Sequence, residues 1–178
     1  MNEHAALLAG PLVSADDALA REFEARLADS SRLAFRVAYS VLRQRQDAED
    51  VAQEAFAKAH RAFRQLRDRD RFRAWLVRMT WRMAIDKRRG DVRRAARELA
   101  PPGPSRPPTS EEALIQEERS TRLWQAIDAL PERLRMVIVL SAIEGHGVRQ
   151  VAALVAAPEG TVKSRLFDAR KRLQEMLR

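Results

Sequence analysis

The sequence contains no cysteine, one tyrosine, six glycines and three histidines among 178 residues. Without thiols there is no disulfide framework and no thiolate metal site, and His4, His60 and His146 are too scattered to suggest an imidazole cluster. No metal and no cofactor is expected. Apolar runs are also short. None approaches the roughly 18 residues that suggest a membrane-spanning helix, and the N-terminus lacks a basic segment followed by an uninterrupted apolar stretch. The expectation is a cytoplasmic protein with no direct membrane insertion. Catalytic signatures are missing too: there is no Gly-rich phosphate loop and no nucleophile motif, so an enzyme is not expected. Acidic residues are in deficit, with 25 Asp and Glu against 33 Lys and Arg, a net charge of +8 and a pI near 11.0. That balance favours a polyanionic partner such as nucleic acid, although an acidic membrane surface fits it as well.

No stretch alternates apolar and polar residues long enough for a strand, whereas apolar residues recur at helical spacing throughout. The fold class predicted is all-α: two small helical domains joined by a flexible linker, the second a helix-turn-helix. Helices are expected at 16–28, 31–43, 47–66 and 71–89, then at 111–129, 132–143, 148–155 and 159–177. Between the two sets, Pro101-Pro102-Gly103-Pro104 and Pro107-Pro108 remove backbone donors and block regular helix. The domain reading is therefore a mobile leader at 1–15, a first domain at 16–94, a Pro-rich linker at 95–117 and a second domain at 118–178.

Three helices carry the chemistry. In the first, Asp47 is an N-cap candidate, and the carboxylates that follow suit the positive end of a helix dipole. Ala52, Phe56, Ala59, Phe63 and Leu66 form a core stripe, leaving Asp50, Gln53, Glu54 and Lys58 pointing elsewhere. Ordinary capping and solvation explain that acidic face by itself; a protein-docking face is the sharper alternative. In the second, residues 61–94 hold 13 Lys or Arg against four acids, a local net charge of +9. Phe72, Leu76, Met79 and Met83 make a core stripe, while Arg78, Trp81, Arg82 and Arg89 share another side, which places Trp81 outside the core. Cations that follow phosphates beside an aromatic that stacks on an unpaired base suit single-stranded DNA. Trp75 reads equally as a structural residue.

The third is the second member of a helix-turn-helix. Val151, Ala152 and Val155 face inward, Ala156-Ala157-Pro158 form the turn, and Pro158 suits the first helical position. Val162, Leu166, Ala169 and Leu173 then form a buried stripe, which sends Thr161, Ser164, Asp168 and Lys171 outward, flanked by Lys163 and Arg165. Such a face fits a major groove.

With those residues in view, the chain resembles an extracytoplasmic-function (ECF) sigma factor of bacterial RNA polymerase, in the two-domain group that keeps conserved regions two and four. Asp47-Ala48-Glu49-Asp50-Val51-Ala52-Gln53-Glu54-Ala55-Phe56 is similar to the region-two signature. The resemblance implies that Asp47, Glu49, Asp50, Gln53 and Glu54 dock on the clamp of the polymerase's largest subunit. Phe72-Arg73-Ala74-Trp75-Leu76-Val77-Arg78, with Ala84-Ile85-Asp86 and the basic run after it, resembles the part that recognises and melts the minus-ten element. The residues implicated there are Arg71, Arg73, Trp75, Arg78, Trp81, Arg82, Lys87, Arg88 and Arg89. Leu130-Pro131-Glu132-Arg133 and Glu159-Gly160-Thr161-Val162-Lys163-Ser164-Arg165-Leu166 resemble region four, which reads the minus-thirty-five element. Its implied contacts are Arg149, Thr161, Lys163, Ser164, Arg165, Phe167, Asp168 and Lys171. The implied partners are core RNA polymerase, promoter DNA and an anti-sigma factor.

Two positions depart from the group. Arg82 stands where members often carry Asn, and Asp168 where they are often basic. Two other readings compete with the resemblance. A sigma-like decoy would bind only an anti-sigma protein, which the two basic surfaces argue against. A plain helix-turn-helix repressor would have no need of the acidic helix and the basic aromatic one.

Overall fold

The computed structural model describes residues 14–98 and 111–178, and every regular element among them is helical. Residues 1–13, most of the expected leader, and 99–110, the centre of the expected linker, lie outside the described residues.

The chain enters α1 (Ala15–Leu42) through a capping box: Ser14 Oγ accepts from the Asp17 N–H at 3.0 Å, and the Asp17 carboxylate accepts from the Ser14 N–H at 3.3 Å. α1 is one helix of 28 residues where two were expected. The apparent break at Asp29-Ser30-Ser31 is bridged because the Ser31 hydroxyl donates back to the Ala28 carbonyl at 3.2 Å and Ser30 is buried. Arg43 closes the helix in the left-handed region, with φ 57°, donating its N–H to the Tyr39 carbonyl.

α2 (Arg45–Phe63) begins two residues before the expected cap. Gln44 occupies the cap position with no side-chain bond, so Asp47 lies inside the first turn, where its charge still meets the helix dipole. After a 3₁₀ turn at Arg69–Arg71, α3 (Phe72–Glu98) runs well past the expected end. These three helices pack around Phe23, Phe63 and Phe72, whose rings meet edge to face with centroids 5.2 to 5.9 Å apart.

The second group comprises α4 (Glu111–Ala129), α5 (Glu132–Ile138), α6 (Val148–Val155) and α7 (Glu159–Leu177). Parts of the expected 95–117 linker are thus helical, at the end of α3 and the start of α4. α5 unwinds into a π turn at Val139–Ile143, and Gly145, at φ 72°, reverses the chain before α6. Gln150 caps α6 by accepting the Gly147 N–H at 3.1 Å. Ala156 then turns through φ 53°, and Pro158 is the cap of α7, one position earlier than expected. On α6 the inward residues are Val151, Ala152 and Leu154, with Val155 only half-buried.

The two groups pack on each other. Val37 and Val41 of α1, Val77 and Trp81 of α3, Ile127 of α4, Val137 of α5, Val151 of α6 and Leu166 of α7 belong to one continuous apolar cluster. Contact between the groups includes α3 against α6 and α1 against the π turn.

Candidate nucleic-acid and protein interfaces

Periodicity on α2 buries Ala48, Val51, Ala52, Ala55, Ala59 and Phe63 and leaves Asp50, Gln53 and Glu54 exposed on one side. Glu49 is half-buried and accepts from Arg45 at 2.8 Å, while Glu54 pairs with Lys58 at 2.8 Å. Both are one-turn pairs of exposed side chains, worth only about 0.3–0.5 kcal/mol each and easily exchanged for a partner. Asp47 differs. It faces α3, where Lys87 lies 2.9 Å away, and that hydrogen bond raises the Lys87 pKa against the opposing effect of desolvation. The signature thus divides into an outward face and an inward tie.

α3 is apolar on two sides. Phe72 and Leu76 face the aromatic cluster, with Met79 and Met83 packed at its edge. Val77, Trp81, Ala84 and Ile85 face the larger cluster. Trp81 is accordingly only 1% exposed, contrary to the placement expected from the first stripe alone. That burial leaves no ring face open for a base to stack on and makes the residue part of the core; its indole N–H has no hydrogen-bond partner.

The solvent-facing remainder is basic. Trp75, half-buried and tilted against Phe72, joins Lys58, Arg78, Met79, Arg82 and Met83 around a hollow of about 240 Å³. Arg73 and Arg82 are exposed, and Arg71 is exposed but paired with Asp68 at 2.9 Å. Arg88 and Arg89 point toward the second group of helices instead.

α7 is simpler. Val162, Leu166 and Ala169 bury one stripe, and Lys163, Ser164, Phe167, Asp168 and Lys171 stand exposed on the opposite side, with Thr161 and Arg165 at its margins. Phe167 is 68% exposed, an unusual position for a large apolar ring. Arg149 is exposed at the start of α6. Among the described residues, no ion pair involves a side chain of α7.

Between the groups lies a cluster absent from the sequence reading. Asp128, in the last turn of α4, accepts two hydrogen bonds from the Arg88 guanidinium and one from Arg43 at 2.5 Å; Arg135 of α5 stands 4.0 Å away. The Arg43 guanidinium also lies 4.8 Å above the Trp124 ring, a cation–π contact. Burial alone would push the Asp128 carboxyl up, but hydrogen bonds from Arg88 and Arg43 outweigh it and hold the pKa below the ordinary value. Arg88 is held more firmly protonated by the same bond, whereas burial lowers Arg135. One local signal was present. A carboxylate in the last turn of a helix opposes the dipole and needs a cation nearby.

Residues 27–97 match the family Sigma-70 region 2, and residues 120–173 match Sigma-70, region 4. The chain is 34% identical to the RNA polymerase sigma-H factor of Pseudomonas aeruginosa, an alignment covering 75% of this chain and 76% of that one. It is likewise 34% identical to the ECF RNA polymerase sigma-E factor of Escherichia coli K12, over 70% of this chain and 71% of the other. Among solved structures, CnrH in complex with the cytosolic domain of CnrY superposes with a TM-score of 0.59 at 26% identity, covering 89% of this chain and 88% of that one. The two region matches, their order along the chain and their separation by the proline-rich segment converge on one answer: the chain belongs to the ECF group of RNA polymerase sigma factors, the subunits that direct the polymerase to promoters.

Proposed function

We propose that the chain divides promoter recognition among its three charged helices. Asp50, Gln53 and Glu54, with Glu49 at the margin, hold the polymerase clamp. Arg71, Arg73, Trp75, Arg78 and Arg82 trap the opened minus-ten strand, and Lys87, Arg88 and Arg89 extend that path once released from their acidic partners. Arg149, Thr161, Lys163, Ser164, Arg165, Phe167 and Lys171 contact the minus-thirty-five duplex. The supporting observation is that exposed polar and acidic side chains stand on α2, at Asp50, Gln53 and Glu54, and exposed basic ones on α3, at Arg73 and Arg82, and on α7, at Lys163 and Lys171. Binding energy spent on the single strand favours the melted state, so opening needs no catalysis by this chain and no nucleotide hydrolysis. Such a subunit works in the cytoplasm; no described helix is long and apolar enough to cross a membrane.

Asp168 is proposed to alter base preference at one minus-thirty-five position, since a carboxylate accepts from the cytosine amino group and repels phosphate. A randomised element read by Asp168→Ala and parent should give different preferred bases, and identical ones would sink the assignment. Control by an anti-sigma factor is proposed as well, because CnrH was solved with the cytosolic domain of CnrY and the RpoE sigma factor of Bartonella quintana with the anti-sigma factor NepR.

Run-off transcription with purified core polymerase on a genomic fragment library tests the reading as a whole. Discrete transcripts dependent on this chain are expected; a library transcribed no differently without it would overturn the proposal. Reversing charge at Asp50 and Glu54 together should abolish pull-down of core polymerase while the helical content stays unchanged.

A further inference from the structure

The connection between α2 and α3 is held to α1 mainly by charged side chains. Its 3₁₀ turn at Arg69–Arg71 contains no buried residue, and Leu66 just before it is only half-buried at the edge of the aromatic cluster. From α1, Glu22 accepts from Arg26 Nε at 3.1 Å through one carboxylate oxygen and from Arg69 at 2.7 Å through the other. The Arg26 guanidinium continues to the turn itself, donating to the Arg69 carbonyl at 2.7 Å and to the Asp70 carboxylate at 3.3 Å. Arg69 also lies 5.4 Å above the Phe63 ring.

Two arginines and two carboxylates make this set neutral, and the Arg26 and Glu22 side chains are only 31% and 32% exposed. Arg26 and Arg69 are thus occupied within the protein, while Arg71 and Arg73, which follow directly, stand exposed. The order imposed from α1 passes along the turn. Asp68 accepts the Asp70 N–H at 3.2 Å and pairs with Arg71 at 2.9 Å, so the backbone that Arg26 fixes at Arg69 also sets where Arg71 starts.

We propose that Glu22 and Arg26 are positioning residues for minus-ten recognition: without touching DNA they fix the α2–α3 turn, and with it the direction in which Arg71 and Arg73 meet the opened strand. This rests on the assignment of Arg71 and Arg73 to that strand. With the brace removed, the strand has to order the turn itself, which weakens capture and blurs the choice of bases while the helices stay packed.

The test uses holoenzyme assembled from core polymerase and the full chain, transcribing a promoter library randomised across the minus-ten element, with the transcripts sequenced. Arg26→Met keeps the apolar stem. It should lower output from the parent's preferred element by about ten-fold, the low end for losing a hydrogen bond to a charged group, and flatten the base preference. Pull-down of core polymerase and helical content should not change. Arg26→Lys should resemble Arg26→Met, since a single ammonium cannot span acceptors set around a planar fork. Parent-like output from Arg26→Lys would mean that only the charge matters, and would overturn the proposal. A uniform fall in output with the base preference intact would reduce the pair to a structural role, which also overturns it. Added to Arg71→Ala, Arg73→Ala, the Arg26→Met change should have little further effect, and a second full loss would show that Arg26 acts by another route. Should Arg26→Met fail to fold, Glu22→Gln breaks the same set and gives the deciding base preferences. If Arg71→Ala, Arg73→Ala alone matches the parent, the assignment of those arginines to the strand fails, and the positioning role falls with it.

Discussion

α3 and α7 are both long, basic helices, each proposed above to contact DNA, yet they are held in different ways. α7 buries a single stripe, Val162, Leu166 and Ala169, and no described ion pair occupies its charges. α3 is buried on two sides, and Lys87, Arg88 and Arg89 each face a carboxylate, Asp47, Asp128 and Glu132 respectively. The difference is between a surface kept ready and one kept guarded. Reading duplex requires only a rigid helix with free donors, which can sample sites continuously.

The sharpest break in the comparison comes from truncating one aromatic on each helix. Trp81→Ala should destabilise the fold by about 3–5 kcal/mol, as expected for a fully buried aromatic. Phe167→Ala should move stability by no more than about 0.5 kcal/mol, as for an ordinary surface site. Chemical denaturation of both variants checks this, and equal effects would mean that α7 is packed as α3 is.

Next in size is the electrostatic contrast. Lys171→Ala should weaken minus-thirty-five duplex binding at every sequence and reduce the salt dependence by about 0.9 in the logarithmic slope, the share of one phosphate contact. Titrations of the duplex at several salt concentrations would show it, and an unaltered slope would remove Lys171 from the interface.

Acid tests the guarded side. Because the Asp128 carboxyl is held below its ordinary value of 3.8, its contribution to the junction between the two groups of helices, here called closure, is complete above that pH and is lost as pH falls below it. Arg43 and Arg88 pair with this carboxylate, Arg135 stands 4.0 Å away, and Glu132 lies near Arg135. Distances between labels on Ala57→Cys and Gln174→Cys, both exposed and one in each group of helices, should therefore hold from neutral pH down to the ordinary carboxylate range and lengthen only below it. Opening at mildly acidic pH would assign closure to a different group.

The smallest effect concerns the turn that aims α7. Ala156 adopts a left-handed conformation that disfavours a side chain, so Ala156→Gly should stabilise by up to about 1 kcal/mol, seen as a slightly raised Tm. A lowered Tm would show that the Ala156 methyl packs usefully.

How far these features were legible follows from whether their cause is local. α6 and α7 span 148–155 and 159–177, where periodicity and the Ala156-Ala157-Pro158 turn put them, because one buried stripe and one turn specify them. The exposed acids of α2 were legible for the same reason. α1 was read as two helices because Asp29, Ser30 and Ser31 disfavour helix in isolation, and the packing that overrides them is tertiary. Trp81 was misplaced because a helical stripe reveals one buried face, and a second exists only once another element covers it. Arg43, Arg88 and Asp128 are 40 or more residues apart from acid to base, and no spacing rule joins them.

The division of labour between α3 and α7 is tested most directly by permanganate reactivity of minus-ten thymines in holoenzyme–promoter complexes. With Arg78→Ala and Arg82→Ala combined in α3, the promoter should remain bound and its thymines unreactive. With Lys163→Ala and Lys171→Ala combined in α7, promoter occupancy itself should fall, while the thymines of the complexes that do form stay reactive. Reactive thymines in the α3 variant at full promoter occupancy would contradict the account.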